Sequence, residues 1–101
     1  MSVYMIVEAT EIKNKEKYAE YVRRVPATIA GFGGRYLARG GEVSVLAGDW
    51  RPRRLIILEF VSMDDFRCWW ESPEYRAIAP LREESASTNA LVIEGCEEKI
   101  C

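Results

Sequence analysis

Two carboxylates interrupt apolar stretches of this chain: Glu8 within residues 3–10 and Glu59 within residues 54–61. A carboxylate among apolar neighbours must find a partner or take up a proton, and two close carboxylates raise the pKa of one of them. Such a group can serve as a general acid or base near neutral pH. Glu59 is the candidate catalytic residue on this reading, with Glu8 on a neighbouring strand. The competing reading is a structural ion pair. Arg39 lies opposite Glu59 if the hairpin centres on Asp49, a register that a bulge at Gly40-Gly41 would shift. Arg35 and Arg39 precede that glycine pair, where guanidinium groups could hold a substrate carboxylate or enolate, or simply be solvated or paired. Trp50, Tyr75, Tyr21 and Trp69 could line an aromatic pocket or belong to the core. Trp50 falls in a loop and needs something to pack on, either a ligand or a second subunit.

Much chemistry is excluded. The chain has no histidine, which removes Ser-His-Asp and Cys-His catalysis and imidazole metal ligands. Its three cysteines, Cys68, Cys96 and Cys101, form no Cys-x-x-Cys pair. Free thiols are expected rather than a zinc site or disulfide framework. The segment Gly31-Phe32-Gly33-Gly34 superficially starts a dinucleotide fingerprint. Tyr36 replaces the third glycine, and the segment leads from helix to strand, the wrong order for phosphate binding at a helix N-terminus. Asp49 and Asp64 read as a turn residue and a first-turn helix acid.

The elements that must position these groups follow from patterning. Residues 3–10 alternate as a strand, Val3, Met5, Val7 and Ala9 on one face and Tyr4, Ile6, Glu8 and Thr10 on the other. Asn14 caps a helix whose buried stripe is Tyr18, Tyr21, Val22, Val25 and Ile29. Pro26 predicts a kink or a fresh turn in it, and Gly31, Gly33 and Gly34 end it. A second strand spans residues 35–39, and Val43, Val45 and Leu46 are expected to resume it after Gly40-Gly41. Residues 54–61 read as a central strand. Ser62 and Asp65 open a short helix, Ser72-Pro73 opens another, and residues 89–94 form the last strand. The expected fold class is α+β: a ferredoxin-like βαββαβ sandwich with an antiparallel sheet ordered 4-1-3-2 and its helices on one face. Residues 1–96 form the single domain and 97–101 a short tail.

Helices on one face leave the other side of the sheet bare, with Tyr4, Ile6, Leu55 and Ile57 on it if the opposite parity meets the helices. Exposing such a surface is unfavourable, so a second copy is expected to cover it and form a barrel-like homodimer. The 101 residues are 49% hydrophobic, with 14 basic and 16 acidic side chains giving a net charge of -2. No basic block suits nucleic acid, no apolar run suits a membrane span, and the start lacks signal-peptide character. A cytoplasmic protein is expected.

The motifs occur in a recognisable order: Tyr18-Ala19-Glu20-Tyr21, Val25-Pro26-Ala27-Thr28, Gly33-Gly34-Arg35, Arg39-Gly40-Gly41, Gly48-Asp49-Trp50-Arg51-Pro52, Glu59-Phe60, Ser62-Met63 and Ser72-Pro73-Glu74-Tyr75. Together they resemble the family called domain of unknown function 1330, over residues 3–95. The resemblance implies membership of the dimeric α/β-barrel superfamily, which includes cofactor-free antibiotic-biosynthesis monooxygenases, muconolactone isomerases and stress-responsive proteins. Its haem-using members rely on a histidine absent here. The family has no settled activity, so it transfers no catalytic residue. The expected function is a small-molecule-binding homodimer without cofactor, able to act as a monooxygenase- or isomerase-like enzyme. In that reading Arg39, Arg35 and Glu8 join Trp50, Tyr75 and Tyr21 around an anionic or aromatic ligand, and Glu59 moves a proton. The alternative is a non-catalytic ligand-binding or stress-associated dimer.

Overall fold

The computed structural model describes residues 1–96; the tail expected at 97–101, including Cys101, lies outside the described residues. The elements are β1 (Val3–Ile12), α1 (Lys15–Ala30), β2 (Arg35–Arg39), β3 (Arg54–Phe60), α2 (Met63–Trp70), α3 (Pro73–Ser85) and β4 (Ala86–Glu94). The sheet runs β2-β3-β1-β4, all neighbours antiparallel, as the ferredoxin-like reading requires.

The helix starts are the ones the side chains dictate. The Asn14 side chain accepts from Lys17 N, Ser62 from Asp65 N, and Ser72 from Tyr75 N, with Pro73 in the first turn. Pro26 does not end α1, which runs through it. It has no N–H to donate to the Val22 carbonyl, and Arg39 Nη2 donates to that oxygen instead, at 2.6 Å. Gly34 gives room for the core at the end of α1: a Cβ there would lie 2.6 Å from the Phe60 ring and 2.7 Å from Ile29.

Val3, Met5, Leu58 and Phe60 face the helices and meet Val25, Ile29, Phe66, Trp69, Tyr75 and Ile78 in one core. Its rings pack at centroid separations of 5.3 Å for Phe60–Trp69 and 4.3 Å for Trp69–Tyr75. Each such side chain contributes about 1.5–3 kcal/mol on burial. The buried indole is satisfied: Trp69 Nε1 donates to Thr28 Oγ1 at 3.0 Å.

Three expectations need correction. The extended pattern at Val43–Leu46 forms no strand; residues 41–53 are irregular and Leu46 is 96% exposed. Gly40, with φ 71°, turns the chain away, and a Cβ there would run into the Arg54 guanidinium. The hairpin register also differs. Arg35, not Arg39, stands opposite Glu59, and Arg39 pairs with Ile56 because the register shifts between Tyr36 and Ala38. Leu37 is the extra residue, and one inserted residue moves everything after it to the opposite face of the sheet. Finally, Cys68 is a free, exposed thiol, but Cys96 is disulfide-bonded, so the free-thiol expectation fails there.

The far side of the sheet carries Tyr4, Ile6, Leu55 and Ile57 with no helix over it, and Leu91 and Ile93 on β4 are 57% and 55% exposed. Among the described residues, no helix is long and apolar enough to cross a membrane.

Candidate functional site

The sheet separates the residues singled out in the sequence into two groups. On the helix side lies a cavity of about 40 Å³ between the sheet, α1 and α3. Counted out to the solvent at its mouth, the empty space there is about 570 Å³. Met5, Val7, Ile56 and Leu58 form its floor; Tyr21, Tyr75 and Arg39 line it together with Tyr18, Tyr36, Arg54, Arg82 and Thr88. Three arginines thus border an apolar space whose lining, among the described residues, includes no carboxylate, in a chain whose net charge is -2.

The polar groups form two clusters. In one, Arg82 Nε donates to the Tyr75 hydroxyl at 3.3 Å, Arg82 Nη1 donates to Thr88 Oγ1 at 3.0 Å, and the Tyr75 and Tyr21 hydroxyls share a hydrogen bond at 2.9 Å. Two hydroxyls bring two hydrogens and their mutual bond uses one. The other remains to donate to a third group. Burial, then proximity to Tyr75, pushes the Tyr21 pKa far above that of an ordinary phenol. Tyr21 is therefore a donor at neutral pH and not a base. In the second cluster Arg54 Nε donates to the Tyr18 hydroxyl at 3.2 Å, while the Arg39 guanidinium lies 4.5 Å from the Tyr36 ring centroid and bonds the Val22 carbonyl. Burial raises the Tyr36 pKa as well. Neither Arg39 nor Arg54 has a carboxylate partner among the described residues; Arg82 has the solvent-facing Glu83, at 3.8 Å.

The second group sits on the bare face. Glu59 accepts from Arg35 Nε at 2.7 Å. That bond, with smaller contributions from Ser2 and Tyr4, lowers its pKa below the ordinary carboxylate value. The expected Arg39–Glu59 pair does not form. Glu8 accepts from Trp50 Nε1 at 3.2 Å and from Asn89 Nδ2 at 3.4 Å, so it pins the loop over residues 41–53 to the sheet. Glu8 stands opposite Leu55 and Glu59 opposite Tyr4, four residues or ~13 Å apart along the strands. They are not a carboxylate dyad. Trp50 is 59% exposed and, like Glu8, Glu59 and Arg35, does not line the cavity.

Sequence reasoning missed Arg82, Arg54, Tyr36, Tyr18 and Thr88 as site residues. Two signals were present. Arg82 follows Tyr75 by seven residues and shares its side of α3. Arg54 has the parity of Ile56 and Leu58, which places a cation on the buried face of β3.

A four-stranded antiparallel sheet in this order, with helices over one face and an arginine-bordered cavity between the layers, defines a ferredoxin-like α+β protein. Within that class the chain belongs to the family described as Domain of unknown function (DUF1330), which matches residues 2–96. No curated protein matches the sequence. Solved structures share the fold at low identity. A protein of unknown function from Rhodopseudomonas palustris has a TM-score of 0.74 at 17% identity, covering 95% of this chain and 83% of that one. A dimeric ferredoxin-like protein of unknown function from Jannaschia sp. CCS1 has a TM-score of 0.74 at 10% identity, covering 94% and 100%. SnoaB, a cofactor-independent oxygenase from Streptomyces nogalater, has a TM-score of 0.59 at 10% identity, covering 98% and 95%.

Proposed function

We propose that this protein is a homodimer that binds a small organic anion in the cavity between its sheet and helices. The observation carrying this reading is the lining. Among the described residues, Arg39, Arg54 and Arg82 border an apolar space with no carboxylate in its wall, and the Tyr21–Tyr75 pair keeps one hydroxyl hydrogen for a third group. Small-molecule sites are typically apolar concavities with a few convergent polar groups, and guanidinium is well matched to carboxylate and enolate oxygens. Dimerisation is supported by the bare apolar sheet face and by the dimeric relative from Jannaschia.

The same groups suit a catalytic use. An enolate or phenolate held by Arg82 and a phenolic donor is stabilised as it forms, in the manner of an oxyanion hole. The oxygenase SnoaB, which needs no cofactor, shares the fold. Either use requires the anion to sit beside Trp69 and Trp70, which also line the cavity. Titration with benzoate, read by tryptophan emission, is the test. Saturable quenching that weakens at least tenfold in an Arg39→Gln/Arg82→Gln double variant is expected. Unaltered emission up to millimolar benzoate would remove the reading.

A further inference from the structure

The register of the sheet places the cavity's cations at opposite ends of an apolar floor. Arg39 pairs with Ile56, Ile56 with Val7, and Val7 with Ala90, so these residues form one row across the sheet. In the adjacent row Arg54 pairs with Ala9 and Ala9 with Thr88. Strands lie ~4.8 Å apart, so the first row spans ~14 Å from β2 to β4 and the second ~10 Å from β3 to β4. Arg39 and Arg54 occupy the β2–β3 end, where their guanidinium groups contact the Val22 carbonyl and the Tyr18 hydroxyl, one turn apart on α1. Arg82 occupies the β4 end, bonded to Thr88 and Tyr75. Between them the floor is Val7 and Ile56, without a polar side chain.

Both ends have unspent donors. A guanidinium has five N–H hydrogens. Among the described residues, Arg39 and Arg54 each spend one on a neutral oxygen, and Arg82 spends two on hydroxyls, its contact with Glu83 being 3.8 Å long. Two cationic ends flanking an apolar middle are complementary to a molecule of the inverse pattern.

We propose that the ligand is a short dicarboxylate, one carboxylate held by Arg39 and Arg54 and the other by Arg82 with the free hydroxyl hydrogen of the Tyr21–Tyr75 pair. A monocarboxylate of equal length satisfies one end and leaves the other uncompensated. This inference rests on the cavity being the binding site and adds the number and spacing of the ligand's charges.

The test is calorimetric titration of the full chain with adipate and, in parallel, hexanoate, which has the same carbon count and one carboxylate. Adipate is expected to bind about tenfold or more tightly, the size of one charge-assisted contact. Arg39→Gln and Arg82→Gln should each weaken adipate about tenfold and bring it close to hexanoate. Arg39 is exposed at the sheet edge, so its variant keeps the test valid if Arg82→Gln folds poorly, as circular dichroism will show. Equal affinities for the two acids would overturn the two-ended ligand and leave the cavity reading intact. Absence of adipate binding would also overturn it, and the separate benzoate titration would then decide whether the cavity binds anions at all.

Discussion

Arg35 and Arg39 have the spacing of residues that share one side of a regular strand. The additional residue Leu37 sends them apart, Arg35 to Glu59 on the bare face and Arg39 into the cavity wall. The consequence for Glu59 is a local ion pair with Arg35. Its pKa is lowered in the folded chain, chiefly by the Arg35 hydrogen bond. A depressed carboxylate pKa stabilises the fold at pH values above the unfolded-state pKa. That contribution is lost as pH falls through the folded-state pKa. Glu59→Gln should therefore have a lower melting temperature than the parent protein at pH 7, and the gap should close on acidification below the folded-state pKa. A gap that stays constant across a pH series of thermal melts would show that the ion pair contributes nothing. The pair is solvent-accessible at Arg35, so the effect should shrink with added salt.

Pro26 shows how α1 and β2 are joined. The missing helix bond at Val22 is met by a side chain from the sheet, so a defect in one element holds the other's arginine at the cavity edge. Pro26→Ala restores the N–H and sets the backbone in competition with Arg39 for that carbonyl. Proline inside a helix costs about 3 kcal/mol, part of it offset here by Arg39. The variant should be more stable by about 1 kcal/mol or more in urea unfolding; a loss of stability would mean the Arg39 contact outweighs the backbone bond. The elements themselves were largely legible. Asn14, Ser62 and Ser72-Pro73 are capping residues with one dominant use, and the alternation in β1 sorts its residues into two faces, both apolar enough that the sequence leaves open which one meets the helices. The bulge at Leu37 was not legible, because nothing in a leucine's chemistry marks an unpaired residue. Gly40-Gly41 drew the expected irregularity a few residues too late. The cavity was half legible. Tyr21 and Tyr75 stand on helical stripes, but the meeting of Arg39, Arg54 and Arg82 depends on three elements and on a register that local pattern does not encode.

The molecule as a whole has two layers and one uncovered apolar face. Tyr4, Ile6, Leu55, Ile57, Leu91 and Ile93 extend across β3, β1 and β4. In the proposed dimer a second copy packed sheet to sheet buries them. Leu91→Asp puts a charge in that layer at a position outside the core and outside the cavity wall. The parent protein should scatter light as a dimer at micromolar concentration and the variant as a folded monomer with unchanged circular dichroism. A variant that retains the dimeric mass would place the interface elsewhere. In the proposed dimer the sheet has two separate tasks: its bare face joins copies, and its helix face floors the cavity. That division explains why the sequence's candidates split as they do, with Glu8, Trp50, Arg35 and Glu59 on one side and Tyr21, Arg39 and Tyr75 on the other. The most direct measurement of the central claim is an amide and indole NMR titration of the full chain with benzoate. Binding in the cavity predicts saturable shifts at Val7, Ile56 and Ala90 and at the Trp69 and Trp70 indoles, with Ile6, Leu91 and Trp50 unmoved. Shifts confined to Ile6, Leu91 and Trp50, or no shifts at all, would contradict it.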